Sequence, residues 1–237
     1  MKKYKKNFDY SYTLGTELTL ELLLCHPEKV TGVYIHSKQN DNAIFTRIKS
    51  ICQKNNIEMI CSDRIFNIVS DKENCYIIGV FKKYESAVNP AGNHVVLVNP
   101  SNMGNLGTII RTSVGFGIND IAIISPAADV FDPKTIRASM GALFRLNFQH
   151  FESFEQYLKT VEKREIFLFM LDGARNLDVI EIPEKYSLVF GNEASGLPSD
   201  YQSYGQSILI KHLDTIDSLN LCNAVSIALY EFTKGRV

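Results

Sequence analysis

Short apolar runs alternate with longer amphipathic stretches along most of the chain, and this alternation predicts an α/β protein. In the first third of the chain it predicts a small α/β domain. Asp41 is a candidate N-cap for the second helix of this domain, because its carboxylate can accept hydrogen bonds from free backbone amides. The predicted strands are residues 30–36, 57–61 and 76–81, and the predicted helices are residues 13–26, 41–55 and 64–69.

A linker is predicted at residues 82–94, which lack periodicity and contain Pro90 and Gly92. We therefore expect one domain over residues 1–88 and a second over residues 94–237. The strands of the second domain are near-continuous apolar runs separated by helices, which is typical of a mainly parallel sheet with helices on both faces. The predicted strands are residues 95–98, 120–124, 147–151, 166–171, 187–190 and 207–210, and the predicted helices are residues 133–144 and 154–163, with two more beginning near Gly107 and Ser218.

Composition narrows the class of protein further. The net charge of −1 leaves no general basic field, so a nucleic-acid partner would have to be held by local patches. The lysine-rich start at residues 2–6 is such a patch, and a frayed, solvated terminus explains it equally well.

The cysteines and the hydropathy favour a soluble protein of a reducing compartment. The five cysteines form an odd set without a CxxC pattern, and the five histidines show no metal-ligand spacing. No apolar run is long enough to span a bilayer, and no secretory segment is visible. We expect a cytoplasmic protein that holds no metal and does not enter the membrane.

Three polar segments stand where a simple core would be apolar, at residues 102–117, 190–198 and 218–230. Each joins a turn rich in Gly, Asn or Ser to a strand or a helix. Because ligands bind at the carboxyl ends of strands in open α/β sheets, we expect the three segments to form one site. The glycine spacing is not GxGxxG, which argues against an ordinary nucleotide-binding Rossmann enzyme.

The first segment is predicted to be a flexible turn that contains Asn102 and Asn105, followed by a helix from about Gly107. Arg111 would lie early in that helix, close to the turn. A guanidinium suits a phosphate because it binds bidentately and stays charged, but a surface arginine on an amphipathic helix has the same pattern.

The second segment bends between Gly191 and Pro198, with Glu193 inside the bend. In the third, Ser218 is a candidate helix N-cap and Asn220 lies near the start of an otherwise apolar helix. Taken singly, Glu193 could equally be a solvated loop acid and Asn220 a capping amide.

Taken together, the three segments resemble the SpoU (TrmH) family of RNA 2′-O-ribose methyltransferases, in the SPOUT superfamily. Residues 105–111 match the family pattern N-x-G-x-x-x-R, residues 191–197 match G-N-E-x-x-G-L, and residues 218–220 match S-L-N. The matches occur in the family's order, and the resemblance covers about residues 94–234.

The match departs from the family in two places. Additional residues stand ahead of Asn105, so Asn102 competes with it for the family's asparagine, and counting back from Arg111 selects Asn105. Cys222 stands where the family often has serine or another small residue, which we interpret as a packing change.

The resemblance implies a fold whose C-terminal part is threaded as a deep trefoil knot, here roughly residues 188–231. It also implies S-adenosylmethionine as cofactor, bound in the knot, and a homodimer in which an arginine of one subunit approaches the cofactor of the other. The implied cofactor-binding residues are Val189, Gly191, Ile210 and Leu219, and the implied catalytic residues are Asn105, Arg111, Glu193, Ser218 and Asn220.

The implied reaction is methyl transfer to a ribose 2′-hydroxyl of RNA. A guanidinium is always protonated in proteins, so we expect Arg111 to clamp a phosphate and stabilise the developing alkoxide rather than act as a base. Asn105, Ser218 and Asn220 would orient the ribose and Arg111, while Glu193 would order the loop, and a second role of Glu193 in ordering Arg111 stays open.

The first domain resembles the RNA substrate-binding domain found ahead of many SpoU catalytic domains, on residues 11–24 and 72–75. A separate RNA-binding domain suits a structured target, so we favour ribosomal RNA over transfer RNA. Two alternatives stay open: a non-catalytic RNA-binding or ribosome-assembly protein that retains the knotted fold, and a base methyltransferase of the same superfamily.

Overall fold

The chain forms two compact units. The computed structural model describes residues 1–70, 74–172, 175–213 and 215–235. The first unit comprises Met1–Tyr84 and Asp129–Arg145, and the second comprises Glu85–Ala128 and Leu146–Val237. The division after Tyr84 lies inside the predicted linker at residues 82–94, whereas nothing in the sequence indicated that Asp129–Arg145 groups with the first unit.

Strands and helices alternate along both units. The strands are β1 (Tyr10–Tyr12), β2 (Val30–Ile35), β3 (Met59–Cys61), β4 (Ile77–Lys82), β5 (His94–Val98), β6 (Asp120–Ile124), β7 (Asn147–Phe151), β8 (Glu165–Phe169), β9 (Arg175–Asn176), β10 (Tyr186–Phe190) and β11 (Gln206–Leu209). The helices are α1 (Thr16–Cys25), α2 (Ala43–Lys54), α3 (Asp63–Val69), α4 (Met103–Gly115), α5 (Pro133–Ala138), α6 (Phe154–Thr160) and α7 (Leu221–Thr233).

The first unit is built on a four-stranded sheet in the order β1-β4-β2-β3. β2 and β3 are parallel, and the other two pairings are antiparallel. Alternate residues of β4 face opposite sides: Ile77 packs with α1 and α2, and Ile78 packs with α3. Part of the sequence resemblance in this unit rests on Lys72 and Glu73, which lie outside the described residues.

The segment Asp129–Arg145 completes the core of the first unit. The Phe131 and Phe144 rings lie 5.8 Å and 5.6 Å from the Phe81 ring. The Arg145 guanidinium forms an ion pair with Glu21 at 2.6 Å. This segment was predicted to be one helix over residues 133–144, and that prediction was wrong, because Met140 (φ 51°) and Gly141 (φ 86°) adopt left-handed conformations that end α5.

The second unit contains a seven-stranded sheet in the order β7-β6-β5-β10-β8-β11-β9, in which every pairing is parallel. On one face, α6 packs through Phe154 against Val96 and Leu168. On the other face, Phe232 of α7 contacts the rings of Phe167 and Tyr186, each at 4.9 Å. The predicted α/β class and mainly parallel sheet are confirmed.

Two smaller predictions concern capping and hydropathy. Asn42, not Asp41, caps α2, since its side chain accepts from the Phe45 amide at 2.8 Å while Asp41 pairs with Lys49. Over the described ranges, the helices are all too short or too polar to cross a membrane.

Candidate functional site

The first polar segment is helical earlier than predicted. α4 begins at Met103, and the Asn102 side chain caps it by accepting from the amides of Gly104 and Asn105 at 2.8 Å and 3.0 Å. The prediction of a flexible turn up to Gly107 was therefore wrong. Asn105 sits in the first turn of the helix, and Asn102 is committed to the cap.

The Glu193 carboxylate lies at the N-terminal end of α4 and joins the first two segments. Oε2 accepts from the Ser101 amide at 3.1 Å and the Ser101 hydroxyl at 2.8 Å. Oε1 accepts from the Asn102 amide at 3.1 Å and from Nδ2 of Asn105 at 3.3 Å. Nδ2 of Asn192 lies 3.4 Å from Oε2. Five donors thus surround one half-buried carboxylate, at the helix end where a negative charge is stabilised.

These contacts favour the ionised form of Glu193. Burial raises the pKa of this carboxyl, but the hydrogen bonds from Ser101 and Asn102 outweigh burial, so its pKa lies below the ordinary value for a glutamate. Glu193 is therefore an anchor between two loops and not a solvated loop acid.

The second segment forms a tight bend immediately after β10. The amide of Asn192 donates to the Gly196 carbonyl at 3.2 Å, and the amide of Gly196 donates back at 2.9 Å. A Cβ atom on Gly191 would lie 2.0 Å from the Gly196 carbonyl carbon, and Gly196 itself has φ +68°. Only glycine fits both positions, because a side chain would collide at the first and be strained at the second.

A cavity of about 360 Å³ opens beside this bend, at the carboxyl ends of β8, β10 and β11 and the start of α7. Of the implied cofactor-binding residues, Gly191, Ile210 and Leu219 line the cavity, as do Glu193 and Ser218. Val189 does not line it, because this residue is fully buried in the core on the α6 face of the sheet.

The third segment meets the first through a thiol. Asn220, not Ser218, caps α7, since its side chain accepts from the Cys222 amide at 2.8 Å. The Sγ atom of Cys222 lies 3.4 Å from Oδ1 of Asn105 and 3.5 Å from the Asn105 carbonyl oxygen. The three segments therefore meet around Asn105 and Glu193, as the sequence predicted.

Arg111 stands apart from this cluster. It is exposed, and no hydrogen bond or ion pair joins its guanidinium to another described residue. On an α-helix a residue six positions after Asn105 lies about 9 Å further along the axis and on a different face. Within one chain, Arg111 is therefore not brought to Glu193.

Similarity to known proteins assigns the family. Residues 92–230 match the SpoU rRNA Methylase family. The chain belongs to this family. The three motifs that meet around Glu193 all lie inside the matched part of the chain.

Among its SpoU relatives is the 23S rRNA (uridine(2479)-2'-O)-methyltransferase of Streptomyces viridochromogenes, 31% identical over 151 residues. That alignment covers 60% of this chain and 53% of the relative, so this chain spans about half the length of that protein.

Two solved structures share the fold over different lengths. An AdoMet-bound rRNA methyltransferase from Sinorhizobium meliloti has a TM-score of 0.83 at 21% identity, covering 97% of this chain and 88% of its own. A second structure, reported for the 2-OH methylation of C/U34 on tRNA, has a TM-score of 0.56 at 27% identity. The match covers 61% of this chain and 95% of the chain in that structure. The first likeness includes both units of this chain, whereas the second extends over less than two thirds of it.

Sequence reasoning missed three residues of the cluster. Ser101 supplies two donors to Glu193, Asn192 shapes the bend, and Cys222 contacts Asn105. Asn192 stands inside a matched motif and Cys222 two residues after one, so their position was a signal, but nothing in the sequence indicated which side chains they touch.

Proposed function

We propose that this protein is an S-adenosylmethionine-dependent RNA methyltransferase that acts on a ribose 2′-hydroxyl. The observation that carries this proposal is a cavity lined by residues of the second and third family motifs, to which the first motif is joined by the hydrogen bond from Asn105 to Glu193. Family membership and the 2′-O-methyltransferase relatives support the reaction class.

The cavity fits the proposed cofactor in size and chemistry. Its volume of about 360 Å³ lies within the range of small-molecule sites. Gly191, Ile210 and Leu219 line the cavity, and their backbone groups would hold the adenine edge and the ribose of the cofactor. When bound, S-adenosylmethionine supplies a methyl group made electrophilic by its sulfonium.

The chain's own residues would align the reacting atoms. The ribose 2′-oxygen would form a bond to the transferred methyl carbon as the carbon–sulfur bond breaks, with the electron pair of that bond going to sulfur and the hydroxyl proton passing to water. Ser218 and Asn220 at the start of α7 and Asn105 on α4 would hold the ribose in line with that bond. Glu193 would hold the loop after β5 and the bend after β10 in fixed positions relative to each other.

Arg111 would act in the site of a second copy of the chain. Its exposure and its distance along α4 from Asn105 support a role outside its own cluster. Helix α7 also exposes apolar side chains, with Tyr230 61% and Ile227 41% exposed, and the Tyr230 ring lies 6.5 Å from the ring of Phe116, which directly follows α4. A homodimer through this face would bury them and bring Arg111 to the partner's ribose phosphate.

The proposal also includes the trefoil knot that the family resemblance implies for the C-terminal part of the chain. The order of the strands and the helix from β10 to α7 is compatible with the family's trefoil thread over residues 188–231. A knotted segment would hold the bend at Gly191 and the start of α7 together without a disulfide.

The first unit would bind RNA. A groove of about 380 Å³ on its sheet is lined by Tyr10, Tyr34 and Lys82. The lysine-rich start is anchored beside this groove, because the Tyr4 amide donates to the Tyr12 hydroxyl at 3.0 Å and the Tyr4 hydroxyl donates to Asp129. Aromatic rings and lysines together suit unpaired nucleotides and their phosphates.

Ribosomal RNA is the favoured substrate class. The likeness to the rRNA methyltransferase structure extends over 97% of this chain, while the likeness to the tRNA-modifying structure stops at 61%. A chain that carries the additional unit is therefore expected to share the target class of the two-unit proteins.

Cofactor binding tests the site directly. Isothermal titration should show S-adenosylmethionine binding to the native chain and none to Gly191→Ala, since the new Cβ would meet the opposite side of the bend at 2.0 Å. Gly115→Ala is the matched control, because a Cβ there meets nothing within 4 Å and binding should persist. Binding that survives Gly191→Ala would place the cofactor elsewhere, and a native chain that binds RNA but no cofactor would favour the non-catalytic alternative.

A further inference from the structure

Two residues without an assigned role hold the polar centre of the site. Asn192 follows Gly191, the first residue after β10, and Cys222 lies in the first turn of α7. Each contacts one member of the Glu193–Asn105 pair.

Every polar atom of the Asn192 side chain is engaged. Nδ2 donates to the Asn99 carbonyl at 2.8 Å and lies 3.4 Å from Glu193. Oδ1 accepts from the amides of Ala194 and Ser195 at 2.9 Å and 3.3 Å. The side chain therefore ties its own bend to the loop that follows β5 and leaves no donor for a ligand.

The loop at the other end of this contact turns sharply. Asn99 has φ 51°, a left-handed conformation that asparagine tolerates better than most residues. This turn carries the chain from β5 to Ser101 and Asn102, whose amides reach Glu193. The Asn192 side-chain amide donates to the Asn99 carbonyl and also lies beside Glu193. It therefore holds both the loop after β5 and the bend after β10, the two segments that the Glu193 carboxylate joins.

The Glu193 carboxylate and the Cys222 thiol together set which way the Asn105 amide points. A carboxylate only accepts hydrogen bonds, so Nδ2 of Asn105 must face Glu193 and Oδ1 must face the other way. Cys222 lies on that side, 3.4 Å from Oδ1. Burial raises the pKa of the Cys222 thiol, so the sulfur keeps the proton that it donates.

We propose that Asn192 and Cys222 are positioning residues that hold the Glu193 carboxylate and the Asn105 amide in the orientation required for methyl transfer. This inference rests on the proposed function. It assigns the cysteine of the third motif a hydrogen-bonding role, in place of the packing change that the sequence suggested.

The test compares Asn192→Asp, Cys222→Ala and Cys222→Ser in the full chain. Asn119→Asp and Cys61→Ala are the controls, because both positions are exposed. The measurements are kcat and KM for methyl transfer to total RNA from a strain that lacks the gene, and the dissociation constant of S-adenosylmethionine. Cys222→Val replaces Cys222→Ala if the latter loses its fold.

Asn192→Asp should lower kcat about tenfold or more, because misplaced reacting groups are costly, while the cofactor dissociation constant changes less than about twofold. Cys222→Ala should lower kcat several-fold, and Cys222→Ser should retain about half or more, since a hydroxyl also donates. The new carboxylate at residue 192 should raise the pKa of Glu193 and move the acidic limb of the kcat–pH profile to higher pH.

Three results would overturn the inference: native kcat in Asn192→Asp, equal losses in Cys222→Ala and Cys222→Ser, or losses confined to KM and cofactor binding. A native chain that transfers no methyl would overturn the proposed function and this inference with it, so the two failures are distinguishable.

Discussion

At the scale of single residues, Glu193 shows that the type of a side chain does not determine its role. A glutamate beside a reacting hydroxyl is a natural candidate for a general base. Here five donors stabilise its charge and its pKa is lowered, so proton uptake is unfavourable. Its contribution is to hold the end of α4 against the bend after β10.

Arg111 carries the sharpest residue-scale prediction. Arg111→Ala should lower methyl transfer about a hundredfold or more, because it removes a charge that stabilises the transition state, and should leave cofactor binding intact. Arg111→Lys should also fail, since an ammonium cannot replace a bidentate fork. Single-turnover methylation with titration calorimetry provides the measurement, and full activity of the lysine variant would contradict the clamp.

Mixed dimers test whether Arg111 acts across subunits. Subunits carrying Arg111→Ala and subunits carrying Gly191→Ala are each expected to be inactive alone. Mixing them should restore activity to about a quarter of the native value, because half of the dimers are mixed and each mixed dimer has one intact composite site. No recovery in dimers shown to exchange subunits would place Arg111 in its own chain's site.

At the scale of elements, the buried strands were the most predictable part of the fold. β5, β6 and β10 are near-continuous apolar runs, and each was predicted to within one residue at either end. The start of α4 was missed because Asn102, Gly104 and Asn105 have turn propensity, while the contacts that stabilise this helix end come from Glu193, 91 residues away from Asn102. Such long-range partners leave no local signal in one sequence.

The start of β5 yields a prediction about pH. His94 is fully buried, with Nε2 2.8 Å from the Asn89 carbonyl oxygen and Nδ1 2.9 Å from the Tyr157 hydroxyl. Burial, aided by the Arg164 guanidinium, lowers its pKa from 6.5 to about 4. The unfolded chain therefore binds a proton between these values that the folded chain does not, and the free energy of unfolding falls as the pH drops from 6.5 towards 4, by at most about 3 kcal/mol.

His94→Gln should flatten this dependence, because glutamine keeps hydrogen-bonding groups and does not titrate. His150→Gln, at an exposed position in β7, is the matched control for replacing a histidine by glutamine. Chemical denaturation at a series of pH values measures the effect. An equal slope in the native chain and in His94→Gln would show that other groups cause it.

At the scale of the whole molecule, the two units are not separated by a single boundary in the sequence, because the first unit also takes up a segment from the middle of the chain. The linker was visible as a loss of periodicity after β4, but the place of Asp129–Arg145 in the first unit was not, because that segment is as amphipathic as its neighbours. Its partners, such as Phe81 and Glu21, are distant in the sequence.

This grouping predicts the behaviour of a truncated chain. Deleting Met1–Tyr84 should expose Phe131 and Phe144, which are 5% and 3% exposed in the intact protein, at a cost of about 2 kcal/mol each. The truncated chain should melt at a lower temperature and bind a hydrophobic dye. Adding Phe131→Ser and Phe144→Ser to the truncation should reduce the dye binding. A truncated chain that melts with the intact one and binds no dye would contradict the grouping.

The position of the transferred methyl group tests the central claim most directly. The purified protein would be incubated with labelled S-adenosylmethionine and total RNA from a strain lacking the gene, and the RNA digested to nucleosides and analysed by mass spectrometry. We predict label on the ribose. The linkage next to the modified residue should also resist alkaline hydrolysis, because that cleavage needs a free 2′-hydroxyl. A DNA of the same sequence should receive no label. Label recovered on a base, or on DNA, would contradict the account.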